Sequence, residues 1–185
     1  YTTLFRSCEV AAIFARISPD YDPSIHYPVS FSDVPMDAWY RNELGYCVQA
    51  GIITGRPDGN FAPMESIDRG ELAAMAARFL ELANSGSTSA FADVPASYWA
   101  HGYIAQLAEK GIVNGNGQGL YLPTEAISRA ETVRIVNGIL DRRPGQADEA
   151  TLDRLAAAGA FIDLDKTHWA YYEILEATYD HQHQK

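Results

Sequence analysis

Phe31-Ser-Asp33-Val34-Pro35, Trp39, Gly51-Ile52, Gly55, Gly59, Pro63 and Ile67-Asp-Arg69-Gly-Glu71 form a series that the chain uses twice. It returns as Phe91-Ala-Asp93-Val94-Pro95, Trp99, Gly111-Ile112, Gly115, Gly119, Pro123 and Ile127-Ser-Arg129-Ala-Glu131. Every match falls at one offset of 60 residues, Phe91 against Phe31, with no gap. A fixed period that ties aromatic, turn and helix-start residues together denotes one supersecondary unit used repeatedly, and it places function between the copies.

The same unit also occurs in halves. Phe161-Ile-Asp163-Leu164, Trp169 and Ile174 repeat the stretch from Phe91 to Ile104 at an offset of 70. Glu9-Val10-Ala-Ala-Ile13-Phe14-Ala-Arg16 aligns with Glu71-Leu72-Ala-Ala-Met75-Ala76-Ala-Arg78, a second half without its first. The chain therefore reads as one domain over residues 1–185, with a half-unit at 8–17, complete units at 31–82 and 91–142, and a half-unit at 161–179. The C-terminal half is expected to pack beside the N-terminal one and close a pseudo-threefold ring, since either half alone leaves an apolar face in water. Tyr1 to Ser7 read as the translation of a common sequencing-adapter oligonucleotide, so native sequence is expected from near Cys8.

Within a unit, Phe-x-Asp-Val/Leu is extended or turn, and Asp37, Ser97 and Thr167 are expected to N-cap the first helix. Leu44, Cys47 and Val48, echoed by Tyr103, Ile104 and Leu107, recur at helical spacing until Gly51 and Gly111 end that helix. Asp58-Gly59 then signals a tight turn, held down by Phe61 and Ile67, or by Tyr121 and Ile127. Asp68 with Glu71, and Ser128 with Glu131, have capping-box spacing, which makes both glutamates caps and not catalytic acids. Leu72, Met75, Ala76 and Phe79 are expected to be the buried stripe of the second helix, echoed by Val133, Val136, Ile139 and Leu140. Residues 83–90 and 142–150 read as polar surface connectors.

Composition excludes several classes. A chain of 185 residues can bury roughly 70% of the surface its unfolded form exposes, so it needs no staples. Net charge is −10 and only three of fourteen cations are lysine, which disfavours nucleic acid and anionic bilayers as partners. No run of eighteen apolar residues exists to cross a membrane. Cys8 and Cys47 read as small buried hydrophobes, forming neither a disulfide nor a metal site. Asp58-Gly59-Asn60 lacks the spaced carboxylates of a calcium loop, so no metal and no cofactor is expected. Nucleophile-elbow, phosphate-loop and metal-ligand spacings are missing, and His181-Gln-His183 sits in a polar tail; no catalytic residue is assigned.

Taken together, Phe-x-Asp-Val, Trp, Gly-Ile, Gly, Asp-Gly-x-Phe-x-Pro and Ile-x-Arg-x-Glu closely resemble the S-layer homology family over nearly the whole chain. The resemblance implies a mostly α, pseudo-threefold array of helix-loop-helix units, the third completed by the two half-repeats. It also implies an extracellular location on a bacterial cell wall. Attachment would be non-covalent, through an acidic secondary polysaccharide bearing pyruvate ketals or through modified peptidoglycan, with self-association in a surface layer a further expectation. The family arginine falls on Arg69 and Arg129, and its loop on Asp58 and Gly59. Two departures stand out: Ser7 occupies the arginine position of the N-terminal half-unit, and Asn114-Gly-Asn-Gly-Gln-Gly-Leu replaces the Asp-Gly loop in the second complete unit.

An arginine in a helix's first turn adds its charge to unpaired N–H groups and to the positive end of the macrodipole, and its planar fork meets both oxygens of a carboxylate. Ligand binding is accordingly preferred to a structural ion pair for Arg69 and Arg129. Trp39, Trp99 and Trp169 could stack on a sugar across a groove, although their place at a repeated helix start favours a core role. A rival reading is a helical-repeat module whose arginines grip partner carboxylates, or the non-catalytic portion of a surface enzyme or adhesin.

Overall fold

Seven helices are found in the residues that the structure, a computed structural model, describes: 4–84, 88–142, 149–157 and 164–178. They are α1 (Ser7–Ile17), α2 (Arg41–Gln49), α3 (Arg69–Phe79), α4 (His101–Glu109), α5 (Arg129–Ile139), α6 (Glu149–Ala157) and α7 (Tyr171–Thr178). Phe161 to Asp163, His181 and His183 lie outside the described residues. The protein is mostly α, and no described helix is long and apolar enough to cross a membrane.

The capping boxes set where α1, α3 and α5 begin. Glu71 Oε2 accepts from Asp68 N at 3.0 Å while Asp68 Oδ1 accepts from Glu71 N at 2.7 Å. Glu131 Oε2 accepts from Ser128 N at 2.9 Å, and Glu9 Oε2 from Arg6 N at 2.8 Å. The next orphan N–H groups are satisfied by the following unit. Ser7 N and Cys8 N donate to Glu65 O (2.9 Å) and Pro63 O (3.1 Å), and Arg69 N and Gly70 N donate to Glu125 O (2.9 Å) and Pro123 O (2.8 Å). The starts of α1 and α3 are thus inserted into their neighbours' loops, which is how the backbone fixes one unit on the next. The segments before α1, α3 and α5 also bridge pairwise, Arg6 with Ser66, Asp68 with Ala126, and Leu4 with Ser128.

Helix pairing follows from the split of each unit into two faces. The second helix of one unit packs on the first helix of the next: α1 on α2, α3 on α4, and α5 on α7, which α6 also supports. The half-units expected to lie side by side therefore each take a different helix partner, α1 resting on α2 and α7 on α5 and α6. Phe14, Leu44, Leu72, Ile104, Leu107 and Ile127 are fully buried in one continuous core. Cys47, also buried, donates its thiol to Ala11 O at 3.3 Å, and burial pushes its pKa up to about 12.

Four local expectations are corrected. Asp37, Ser97 and Thr167 do not cap helices: α2 and α4 begin after Tyr40 and Ala100, and α7 begins at Tyr171. Pro35 and Ala38 instead close successive turns, accepting from Ala38 N (3.2 Å) and Arg41 N (3.0 Å). These turns bury the residue after each tryptophan, Tyr40, Ala100 or Ala170, and leave Trp39, Trp99 and Trp169 exposed at 59%, 49% and 57%. The core role favoured for the tryptophans is therefore wrong.

The buried face of α5 is also different, being Thr132, Ile135, Asn137 and Ile139, while Leu140 is exposed. It keeps the positions of Leu72 and Met75 one period on, and its polar members are satisfied. Thr132 Oγ1 donates to Ser128 O at 3.0 Å, and Asn137 Nδ2 donates to Glu173 O and Oε2, both at 2.9 Å. Lastly, the connector read at 142–150 runs into α6, whose Leu152 is buried against Tyr171 and Leu175.

Candidate functional site

The aspartate of Phe-x-Asp-Val builds the wall of the site. Asp33 accepts from Phe61 N (3.0 Å) and Ala62 N (2.6 Å), and Asp93 from Tyr121 N (2.8 Å) and Leu122 N (2.7 Å). Ala62 and Leu122 are held at positive φ, 58° and 61°, a conformation that L-residues adopt only when fixed from outside. Phe31 stacks on Phe61 and Phe91 on Tyr121, with ring centroids 5.7 and 5.3 Å apart. Gly55 lies so close beneath Phe31 that a Cβ there would fall 2.3 Å from the ring. The loop is consequently a rigid shelf over the start of the second helix.

Two equivalent grooves open between this shelf and the neighbouring units. One, the Arg69 groove, has a volume of about 270 Å³ and is lined by Arg69, Asn114, Tyr121, Glu131, Arg134 and Trp169 among others. The other, the Trp99 groove, holds about 440 Å³ and is lined by Thr54, Arg56, Phe61, Glu71, Arg78 and Trp99 among others. Each combines the loop and second helix of one unit with the tryptophan of the next. The Arg69 groove also takes a helix-start residue from the unit before, Arg69, and the Trp99 groove takes Ser7 there.

Arg69 is held on three sides. Its Nε donates to Tyr121 O at 2.7 Å, its Nη2 to Asn114 O at 3.1 Å, and its Nη1 to Glu131 Oε1. The guanidinium lies 4.6 Å over the Tyr121 ring, and Tyr121 Oη donates to Arg69 O at 3.0 Å. Burial of that phenol drives its pKa far above the ordinary tyrosine value. The side chain is only 13% exposed, so the ion pair that the sequence reading set second is present, and the guanidinium meets the groove with its remaining N–H groups. In the Trp99 groove, Glu71 makes no such ion pair among the described residues, and burial raises its pKa against the opposing hydrogen bond from Asp68 N and the more distant charge of Arg56. Asp68 is raised by burial as well.

The other candidates are dispersed. Arg129 is exposed, its guanidinium 3.9 Å over the Phe5 ring, and lines neither groove. Trp39 lies 6.0 Å from Arg16, which pairs with Glu43 at 2.7 Å. Asp58 accepts from Asn60 N at 3.0 Å, and Gly59 takes φ 81°, at an exposed loop tip outside both grooves. Arg69 and Trp169 share one groove, and Trp99 lies in the other. Asn114, Arg134, Arg78 and the clamping Asp33 and Asp93 were missed as site residues; aligning the two units position by position would have placed Arg134 opposite Ala74, an arginine with no counterpart.

Comparison with known proteins agrees with the repeat. The family model described as the S-layer homology domain matches residues 30–73 and 90–133. A cellulosome-anchoring protein of Acetivibrio thermocellus is 30% identical over 183 residues, covering 95% of this chain and 38% of that protein. The S-layer protein EA1 of Bacillus anthracis is 37% identical over 102 residues, 55% of this chain and 12% of its own length. An exoglucanase of Acetivibrio thermocellus is 37% identical over 123 residues, 63% of this chain and 11% of that enzyme. The chain thus spans well under half the length of these curated relatives.

Proposed function

The chain belongs to the S-layer homology family, and from that premise we propose that it is a non-catalytic anchor, holding a surface protein non-covalently on the bacterial cell wall. The ligand in this reading is an acidic secondary wall polysaccharide carrying pyruvate ketals. The observation that carries it is the Arg69 groove, where a guanidinium from one unit and an exposed tryptophan from another border a cavity of about 270 Å³, room for a sugar ring. Tryptophan offers an apolar face to the ring, and arginine offers N–H donors to the ketal carboxylate. An acidic chain repels an anionic polymer at long range, so attraction must come from this local, partly desolvated pocket. Relatives named as an anchoring protein, an S-layer protein and an exoglucanase fit a module that is joined to different partners.

Sedimentation with protein-free wall sacculi tests this reading. The domain should be retained, and retention should fall after chemical removal of the polysaccharide. Arg69→Lys should weaken retention by more than about 1 kcal/mol with the helical circular-dichroism spectrum unchanged, because an ammonium cannot copy the planar fork, whereas Arg129→Lys, outside both grooves, should bind as the wild type does. Undiminished binding by Arg69→Lys removes that arginine from the mechanism. A wild-type domain that stays in solution removes the anchor itself and leaves a protein-binding repeat.

A further inference from the structure

We infer that Arg134, not the family arginine Arg69, is the residue that reads the acid of the ligand in the Arg69 groove; this rests on the anchoring function proposed above. Arg69 spends three of its five N–H donors within the protein, and one of its acceptors is the carboxylate of Glu131, which cancels its charge locally. Arg134 stands one turn further along α5 and lines the same cavity with its side chain 37% exposed. With the Asn114 amide turned so that its nitrogen donates to Val113 O at 2.8 Å, its oxygen accepts from Arg134 Nη2 at 2.5 Å.

Arg134 makes a long ion pair with Glu173, whose Oε1 stands 3.9 Å from Nε, beyond hydrogen-bond reach, while its Oε2 accepts from Asn137. Arg134 is therefore positioned by Asn114 and only loosely paired with Glu173, without the hydrogen-bonded carboxylate that Arg69 has, and it lines the groove that Trp169 borders. Asn114 serves both arginines, its backbone oxygen accepting from Arg69 and its side chain from Arg134. The loop substitution that departs from the family pattern thus acquires a role: it aims a second guanidinium. The Trp99 groove has Ala74 at the matching position, so this arrangement of arginine and asparagine is not repeated there, where Arg56 and Arg78 line the wall instead.

The test measures half-saturating binding to protein-free sacculi before and after mild acid hydrolysis of the pyruvate ketals. Arg134→Gln should weaken binding to untreated sacculi about tenfold or more, the size expected for a charge-assisted contact, and Arg134→Lys should recover part of it. Ketal removal should weaken the wild type to a similar degree and add little further loss in Arg134→Gln, since both changes delete the same interaction. Melting temperatures of all variants establish that the fold is kept. Undiminished binding by Arg134→Gln, or a full second loss when its ketals are removed, overturns this assignment while leaving the anchor standing. A wild type that ignores untreated sacculi overturns both.

Discussion

The Arg69 groove and the Trp99 groove share a backbone and differ in where their arginines sit. Both rest on an aspartate clamp, an aromatic pair, a capping glutamate and a tryptophan from the next unit. Where one has Arg69 and Arg134, however, the other has Ser7 and Ala74, and it draws its guanidinium groups from Arg56 and Arg78, whose counterparts one period on are Asn116 and Gly138. The repeat therefore preserves the parts that shape a groove and varies the parts that face a ligand. That separation lets stability and binding be perturbed apart, and it makes each groove the control for the other.

Removing the chain from residue 158 onward gives the largest expected effect, because it deletes α7 and with it one wall of a single groove. Asn137 would lose its two acceptors on Glu173, Arg142 would lose Glu176, and Leu152 would face water. A buried amide left without its acceptors, the loss of the Arg142–Glu176 pair and an uncovered leucine should together cost at least about 3 kcal/mol, or roughly 6–12 °C of melting temperature for a chain of this size. Wall binding through the Arg69 groove should vanish with Trp169, while the Trp99 groove, built wholly from residues before 100, should survive. An unchanged melting temperature would show that α7 does not complete the domain.

A smaller and more selective break comes from the clamps. Asp93→Ala leaves the N–H groups of Tyr121 and Leu122 without their acceptor, and Asp33→Ala does the same to Phe61 and Ala62. Each should destabilise by about 2 kcal/mol, seen in urea titration. The two should nevertheless differ in function, with Asp93→Ala impairing sacculus binding more, since it loosens the shelf that holds Arg69 through Tyr121 O. Equal losses would mean that both grooves bind with similar strength.

How much of this was legible depends on whether a feature is local or arises between units. The repeat, its phase, the capping boxes and the turn glycines are local: Gly51 and Gly111 adopt φ 73° and 68°, and Glu71 and Glu131 cap as their spacing requires. The tryptophans were misplaced because sequence shows an aromatic near a helix start but not the turns at Pro35 that swing it outward. The α5 stripe was misphased by following apolar residues and not the period, since Thr132 and Asn137 are buried through hydrogen bonds that sequence does not display. Arg69 was recognised as a site residue, but its ion pair with Glu131 joins residues 62 apart and appears only when the units dock. α6 was invisible because the buried side chain that fixes it, Leu152, finds its partners on α7.

Ser7→Arg should bring the two grooves together, with the smallest effect of the three. Ser7 N and Cys8 N already donate to Glu65 O and Pro63 O as Arg69 N and Gly70 N donate to Glu125 O and Pro123 O, so the backbone is in register for the larger side chain. Following Arg69, the introduced guanidinium would meet Phe61 O, Thr54 O and the Glu71 carboxylate, the counterparts of Tyr121 O, Asn114 O and Glu131. Burial now raises the pKa of Glu71; a cation beside it stabilises the ionised form and brings that value down. A partly exposed pair of this kind should contribute about 1 kcal/mol at neutral pH, a rise of roughly 2–4 °C. The sign follows from which form of Glu71 the new charge favours: the gain is complete where Glu71 is ionised in both proteins, above its raised pKa. It fades as acidification protonates the carboxylate. Melting curves of the two proteins that converge on going from pH 7 to pH 4 would establish the pair, whereas a constant separation would place the new arginine in solvent and leave the Trp99 groove without a true counterpart of Arg69.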